Sequence, residues 1–201
     1  MNSATSPVPD APGTAGAPAL GIERLLLVVT GSVSAAHMPF WINWLGGTYP
    51  GLETKTVLTR SSQRFVTRHA LSSGPGRCEV FTDTWPEEES NARHVEWGEW
   101  AQAVLVYPAS FHFLARLALG LADTPALLAA QCATAPVVVA PALPPGGWQS
   151  PACVGHVTAL RSRPNTEVLT PLQSVSRTTG RREAWSPALL PDALRAVERL
   201  R

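Results

Sequence analysis

Two apolar runs near the middle of the chain constrain its fold more than any other feature of the sequence. The first run is Ala103–Tyr107, which is followed by Pro108-Ala109-Ser110, and the second is Pro136–Pro141. A segment with leucines at helical spacing separates them. Two buried strands joined by a helix predict a βαβ crossover within a parallel sheet. Ligands of open parallel sheets bind outside the carboxyl ends of the strands, so we expect a site beside Pro108 and Ser110.

Composition limits the classes of protein to which the chain can belong. Its 201 residues suit one domain, with two as a soft upper limit, and a hydrophobic content of 45% is enough for a real core. The net charge of +1 gives no reason to expect binding to nucleic acid or to an acidic membrane. No apolar run approaches the roughly 20 residues that span a bilayer, and the N-terminus lacks the pattern of a signal peptide. Three widely spaced cysteines are typical of a reduced interior, so we expect a cytoplasmic protein.

The N-terminal segment differs from the rest of the chain in composition. Residues 1–20 are rich in Pro, Ala, Gly and Ser and hold too little apolar surface to order themselves. We therefore expect a mobile tail over residues 1–20 and a single α/β domain over residues 21–201.

The first strand leads into a turn of small residues. Arg24–Thr30 reads as a buried strand, and Gly31–Ser34 as the turn into a helix that ends at Gly46-Gly47. Small residues at such a turn expose backbone N–H groups at the positive end of a helix, which suits a phosphate. The turn lacks the G-x-G-x-x-G pattern of dinucleotide folds, and an ordinary strand-to-helix turn explains these residues equally well.

A second group of hydroxyls follows the second predicted strand, Glu53–Thr59. Where a nicotinamide-binding fold carries an acid for the ribose, this chain has Arg60 and then Ser61 and Ser62. One of the two serines is expected to cap the next helix, which contains Phe65. Hydroxyls at a helix start favour a phosphate over a ribose diol, and simple capping remains a competing interpretation.

His94 is the best candidate for proton chemistry. It stands between the polar segment Thr84–Arg93 and the strand that begins at Ala103, so we expect it near the site and within reach of solvent. Imidazole exchanges protons near neutral pH, although a lone histidine is more often structural. The five histidines show no metal-ligand spacing with one another or with the cysteines, and no G-x-S-x-G elbow is present, so we expect neither a metal site nor a serine hydrolase.

The remaining elements follow from caps and short apolar runs. A polar segment, Leu172–Trp185, is predicted to form a flexible flap or hairpin. Helices are expected to begin at Ser110, Thr124-Pro125, Ser150-Pro151 and Ser186-Pro187, and further short strands at Cys78–Phe81 and Glu167–Leu169.

The order and spacing of several short motifs resemble the homo-oligomeric flavin-containing cysteine decarboxylases over about residues 22–190. This family includes phosphopantothenoylcysteine decarboxylase and the lantibiotic-type peptidyl-cysteine decarboxylases. The motifs are Thr30 to Ala35, Ser61-Ser62 with Phe65, His94 about fourteen residues before Pro108-Ala109-Ser110, Gly120 to Asp123, and Trp148 to Ala152.

The resemblance implies a flavodoxin-like three-layer sandwich that binds FMN or, in some members, FAD. It further implies a homotrimer, often assembled into a homododecamer, with the flavin at a contact between subunits. His94 would match the active-site histidine. The residues implied in cofactor binding are Gly31, Ser32 and Ser34 at the phosphate, Ser61 and Ser62 nearby, Phe65 near the ring, Pro108, Ala109 and Ser110 along the isoalloxazine, and Asp123.

The chain departs from the family pattern at two places. Phe111-His112-Phe113 replaces the polar residues that usually follow Pro-Ala-Ser, and Pro141–Gly147 lacks the asparagine that grips the substrate carboxylate. Substrate binding is then expected from the backbone N–H groups of Gly146 and Gly147 beside Trp148, or from Arg181.

The implied reaction is oxidation of a cysteine to a thioaldehyde, with a hydride passing to the flavin, followed by loss of carbon dioxide. The coenzyme A branch carries an extra cysteine in the late flap, and Leu172–Trp185 has none. We therefore expect an oxidative enzyme acting on the C-terminal cysteine of a precursor peptide, giving an aminoenethiol for aminovinyl-cysteine formation in lanthipeptide biosynthesis. Three alternatives stay open: a phosphopantothenoylcysteine decarboxylase-like enzyme, a flavin prenyltransferase-like enzyme, and a non-catalytic flavin-binding regulatory subunit.

Overall fold

The computed structural model describes residues 16–73, 77–85 and 92–201. Most of the predicted N-terminal tail, residues 1–15, lies outside the described residues, as do residues 86–91 of the predicted polar segment.

A parallel sheet of six strands forms the centre of the described structure, as predicted from the apolar runs. Its spatial order is β3-β2-β1-β4-β5-β6. The strands are β1 Arg24–Val29, β2 Glu53–Leu58, β3 Arg77–Thr82, β4 Ala103–Ala109, β5 Val137–Pro141 and β6 Thr166–Val168.

Helices cover both faces of this sheet, because successive side chains of the central strands point to opposite sides. Their bounds are α1 Met38–Thr48, α2 Arg68–Ser72, α3 Arg93–Trp100, α4 Phe111–Ala118, α5 Pro125–Cys132, α6 Pro151–Arg161 and α7 Leu190–Leu200. Leu25 and Leu27 pack with α1 and α7, whereas Leu26 and Val28 pack with α3, α4, α5 and α6. The result is the predicted flavodoxin-like three-layer sandwich.

A small antiparallel hairpin stands apart from the main sheet. Its strands are β7 Leu172–Ser174 and β8 Ala184–Ser186, with Gln173 opposite Trp185. This confirms the hairpin that was predicted for the polar segment before the last helix.

Several element boundaries differ from the sequence predictions. A 3-10 helix, Val33–His37, precedes α1, which continues through Gly46-Gly47 to Thr48 instead of ending at the glycines. Leu45 is buried in the core, and its packing holds the helix together past Gly46. A short 3-10 helix, Ser62–Arg64, follows Ser61, whose side chain makes no capping bond.

The last helix and the histidine segment also differ from expectation. α7 begins at Leu190 with Pro191 in its first turn, because Ser186 is already paired with Leu172 in the hairpin. His94 lies in the first turn of α3, a helix that was not predicted from the sequence. No helix within the described ranges is both long enough and apolar enough to cross a membrane.

Candidate functional site

The centre of the candidate site is the point where the strand order reverses, between β1 and β4. Thr30, which directly follows β1, is 1% exposed. Its hydroxyl donates to the carbonyl oxygen of Pro108 at 2.6 Å and accepts from the backbone N–H of Ser110 at 2.6 Å. The Ser110 hydroxyl accepts from the N–H of Phe113 and so caps α4. One buried hydroxyl therefore fixes the two turns that flank the crevice in which ligands of such sheets bind.

The turns after β1 and β2 touch each other at Gly31. A Cβ atom at this position would lie 2.5 Å from the Ser61 hydroxyl oxygen and 2.6 Å from the Ser61 Cβ. The Ser61 hydroxyl is in turn 3.3 Å from the Thr59 hydroxyl, and the Ser32 hydroxyl accepts from the N–H of Ser34. A glycine is required here because the two turns approach closely, and their hydroxyls gather at one edge of the sheet.

A cavity of about 790 Å³ opens beside these turns, and we call it the larger cavity. Phe111, His112 and His37 contribute rings to it, and Pro144 and the hairpin form its far wall. No aspartate or glutamate is among the described residues that line it. Six of the residues proposed for cofactor binding line this cavity together: Gly31, Ser32, Ser34, Ser61, Phe65 and Ser110.

A second cavity of about 440 Å³, the smaller cavity, shares Ser61, Ser110 and His112 with the larger one. Its wall carries three guanidinium groups, together with hydroxyls and the carboxyl group of Asp83. The guanidinium groups belong to Arg60, Arg64 and Arg116. The two cavities form one crevice along the carboxyl ends of the strands, with cationic groups concentrated at one end.

Asp83 follows β3 and is 5% exposed. Its Oδ1 accepts from the backbone N–H of Ala126 at 2.9 Å, in the first turn of α5. Burial raises the pKa of this carboxyl group, and the hydrogen bond from Ala126 and the charge of Arg116 oppose that effect. Asp83 therefore anchors α5 beside the smaller cavity.

The hairpin is tied to the segment that follows β5. The N–H of Leu143 donates to the carbonyl oxygen of Trp185 at 2.8 Å, and the N–H of Trp185 donates back to Leu143 at 3.0 Å. The indole N–H of Trp185 is buried and has no acceptor among the described residues. This pairing brings Ser174–Thr178 to the wall of the larger cavity.

Four other residues proposed for cofactor binding do not line the larger or the smaller cavity. Ser62 is fully buried and donates its hydroxyl to the carbonyl oxygen of Thr59 at 2.7 Å. Pro108 and Ala109 belong to β4, and neither lines the larger or the smaller cavity. The exposed Asp123 accepts from Arg116, whose guanidinium lowers the pKa of its carboxyl group. Ser62 and Asp123 thus make structural contacts within the protein, and the cofactor contacts proposed for all four residues stay predictions.

The residues proposed for substrate binding do not line either cavity. The N–H of Gly147 already donates to the carbonyl oxygen of Pro144 at 3.0 Å, so it is not free to bind a carboxylate. Gly146 and Trp148 lie in the same turn, away from the cavity walls. The side chain of Arg181 is 74% exposed and pairs with Glu183 at 3.3 Å.

His94 lies outside both cavities of the single chain. Its ring centroid is 5.6 Å from that of Trp85 at a steep angle, and its Nδ1 is buried without a hydrogen-bond partner among the described residues. The indole N–H of Trp85 donates to the carbonyl oxygen of Asp123. Two residues further along α3, Glu96 pairs at 2.6 Å with Lys55, whose side chain is 10% exposed, and this pair fixes α3 on the sheet.

Sequence reasoning missed several lining residues. Asp83 stands at the carboxyl end of a predicted strand, where a polar residue indicates a site in a parallel sheet. His112 was noted as a departure from the family pattern but not as a lining group. His37 and Arg177 gave no local signal, because only the packing of the first helix and of the hairpin brings them to the cavity.

The sequence matches known proteins over most of its length. Residues 18–187 match the family model described as Flavoprotein. The chain is 34% identical to the cypemycin cysteine dehydrogenase (decarboxylating) of Streptomyces sp, over 86% of this chain and 89% of that protein. It is 36% identical to the coenzyme A biosynthesis bifunctional protein of Mycolicibacterium smegmatis over 85% of this chain, but spans only 39% of that protein.

Solved structures share the same fold. The crystal structure of the cypemycin decarboxylase CypD matches with a TM-score of 0.72 and 31% identity, over 92% of this chain and 96% of that one. That of the FMN-dependent cysteine decarboxylase SpaF matches with a TM-score of 0.74 and 27% identity, over 90% and 99%.

Proposed function

The chain belongs to the flavoprotein family, and we propose that it is an FMN-dependent enzyme that oxidatively decarboxylates the C-terminal cysteine of a precursor peptide. One observation carries the proposal. In a chain similar over most of its length to a decarboxylating cysteine dehydrogenase, the turns after β1, β2 and β4 line one cavity at the reversal of strand order. The product, a peptide ending in an aminoenethiol, would feed an aminovinyl-cysteine ring.

The larger cavity has the size and the chemistry that FMN requires. Its volume of about 790 Å³ suits a planar tricyclic ring with a ribityl chain. Phe65 and Phe111 offer aromatic surface for the ring. The close approach at Gly31 gathers the hydroxyl groups of the neighbouring turns at the cavity wall, where they can donate to a phosphate. The arginines of the smaller cavity add positive potential at that end of the crevice.

Within this site the protein has to orient the cysteine and move protons. When bound, FMN supplies an acceptor for the hydride that leaves the cysteine Cβ as its thiol loses a proton. The substrate is then a thioaldehyde, and its C=S group takes up the electron pair of the breaking C–C bond. Carbon dioxide leaves, and the remaining enethiolate is protonated. His94 is the proposed group that assists proton removal.

The position of His94 supports a site shared between subunits. It lines neither cavity of its own chain. Its ring packs against Trp85, whose indole N–H donates to the carbonyl oxygen of Asp123, and Asp123 in turn accepts from Arg116 of the smaller cavity. We propose a homotrimer, or a homododecamer built from trimers, in which His94 of one copy reaches the crevice of the next. The Nδ1 of His94, which has no hydrogen-bond partner within residues 16–73, 77–85 and 92–201, would gain one there.

A peptide assay tests the proposed function. The purified protein should be yellow, and the extracted flavin should run as FMN on chromatography. Incubation with a short peptide ending in cysteine should remove about 46 Da, the mass of one carbon dioxide and two hydrogen atoms. The same peptide with a C-terminal amide in place of the carboxylate should be unchanged. A flavin-loaded protein that leaves every cysteine-terminated peptide intact would refute the proposal.

A His94→Asn variant tests the assigned role separately. We expect it to remain yellow and to keep the oligomeric size of the wild type, while the rate of peptide conversion falls by at least about a hundredfold, as is typical when a general acid–base group is lost. His69→Asn, which changes an exposed histidine on α2, is the matched control. Full activity of the His94 variant would refute the role.

A further inference from the structure

The larger cavity is electropositive on the side of the hairpin. The titratable side chains that line it are His37, His112 and Arg177, and no acid is among the described lining residues. A negatively charged substrate group would therefore meet a favourable potential in this cavity. The proposed peptide substrate brings such a group, the carboxylate of its terminal cysteine.

Arg177 sits on a well-fixed turn at the cavity wall. Ser176, 6% exposed, donates its N–H to the carbonyl oxygen of Arg181 at 2.8 Å, and Gly180 donates its N–H to the carbonyl oxygen of Ser176 at 2.8 Å. Gly180 has a φ of +71°, which the turn needs and glycine provides. The hydroxyl of Ser176 also accepts from the N–H of Thr179. The backbone of Arg177 is thus held in place while its long side chain stays free to adjust.

Neighbouring arginines of the hairpin do not share this position. Arg181 is paired with Glu183, and neither it nor Arg182 lines the larger or the smaller cavity. No ion pair engages Arg177 within the described part of the chain. The guanidinium at position 177 is consequently the hairpin cation that is available to a ligand in the larger cavity.

We propose that Arg177 binds the C-terminal carboxylate of the peptide substrate, in place of the asparagine that the segment Pro141–Gly147 lacks. This inference rests on the proposed function. A guanidinium can hold a carboxylate through two parallel N–H···O bonds, which fixes the orientation of the terminal residue as well as its position. The buried indole N–H of Trp185, on the next strand of the hairpin, offers a further donor to the bound peptide end.

Binding of two unreactive peptides tests the inference. The probes are a short peptide ending in serine with a free carboxylate and the same peptide as its C-terminal amide, titrated calorimetrically into the FMN-loaded protein. We expect the wild type to bind the acid at least about tenfold more tightly than the amide, the usual effect of a hydrogen bond to a charged group. Arg177→Gln should bind both peptides with similar, weak affinity. The matched control Arg182→Gln should keep the wild-type preference.

Two results would overturn the inference: an Arg177→Gln variant that still prefers the acid, or one that no longer retains FMN, which would assign the guanidinium to the cofactor. Conversion of a cysteine-terminated peptide by the wild type is measured in parallel, so that failure of the role of Arg177 can be told apart from failure of the proposed function. If the wild type converts that peptide while Arg177→Gln behaves as the wild type does, only the role of Arg177 fails. If the wild type neither binds nor converts it, the proposed function itself fails.

Discussion

At the scale of single residues, Asp83 makes protein stability depend on pH. Burial raises the pKa of its carboxyl group above that in the unfolded chain, so the folded protein holds this proton more tightly. The stability that Asp83 contributes is therefore present at low pH and is lost as pH rises from about 4 through the raised pKa. Asp83→Asn keeps an acceptor for the N–H of Ala126 and removes the charge, so its unfolding free energy should not show this fall. Urea unfolding followed from about pH 4 to about pH 7 measures this dependence.

Asp123→Asn is the control with the opposite sign. Arg116 lowers the pKa of the Asp123 carboxyl group, so that residue contributes stability above the pKa of the unfolded chain and loses it as pH falls. As pH rises, the unfolding free energy of the wild type should increase relative to that of Asp123→Asn. It should decrease relative to that of Asp83→Asn. Parallel stability curves for the wild type and Asp83→Asn would contradict the account of Asp83.

The cysteines should differ in reactivity for a related reason. Cys153 is fully buried on α6, and burial raises the pKa of its thiol, whereas Cys132 is exposed at the end of α5. Since the thiolate is the reactive form, iodoacetamide at neutral pH should label Cys132 at least about tenfold faster than Cys153. Peptide mass mapping measures this, with both cysteines labelled in urea as the control. Equal labelling rates in the folded protein would show that the α6 face opens readily.

At the scale of elements, the contact between the turns after β1 and β2 should decide whether FMN binds. Gly31→Ala places a Cβ 2.5 Å from the Ser61 hydroxyl oxygen, so one turn has to move. We expect this variant to retain less than about a tenth of the FMN of the wild type, since the turns whose hydroxyls are proposed to meet the phosphate are displaced. The absorbance of the purified protein measures the FMN content.

Two further variants separate this effect from a general loss of structure. Gly47→Ala adds a Cβ in open space on α1 and should keep its FMN. Ser61→Gly combined with Gly31→Ala removes both clashing Ser61 atoms and should recover part of the FMN. A Gly31→Ala protein with a full complement of FMN would refute the importance of this contact.

Local patterns in the sequence were enough to predict the elements that carry the site. The apolar runs predicted the parallel strands. The hydroxyls and glycine at the strand ends indicated the site, because ligands of open parallel sheets bind outside the carboxyl ends of the strands. Boundaries were less predictable. The helix that passes through Gly46 depends on the burial of Leu45, and the late start of α7 depends on the pairing of Ser186 with the hairpin. Arg177 and His37 reach the cavity only through tertiary packing, which no local pattern reports.

At the scale of the whole molecule, the proposed trimer requires that neighbouring copies complete each other's sites. His94 stands on α3 outside both cavities, while Gly31 stands in the larger cavity. Mixing two inactive proteins, His94→Asn and Gly31→Ala, under conditions that exchange subunits should restore activity, because some crevices then combine an intact turn with an intact imidazole. The conversion rate of a cysteine-terminated peptide measures this, once both variants are shown to be folded and of the same size as the wild type. Mixtures that stay inactive after exchange would place His94 in the crevice of its own chain.

The most direct test of the central claim is a single turnover without an external electron acceptor. Under anaerobic conditions the FMN-loaded protein is mixed with excess cysteine-terminated peptide, and visible absorbance and peptide mass are followed together. The account predicts bleaching of the oxidised FMN absorbance and loss of about 46 Da from one peptide per FMN, after which conversion stops until air is admitted. Continued turnover with a loss of about 44 Da and no bleaching would contradict it, since that is the balance of a decarboxylation without net oxidation.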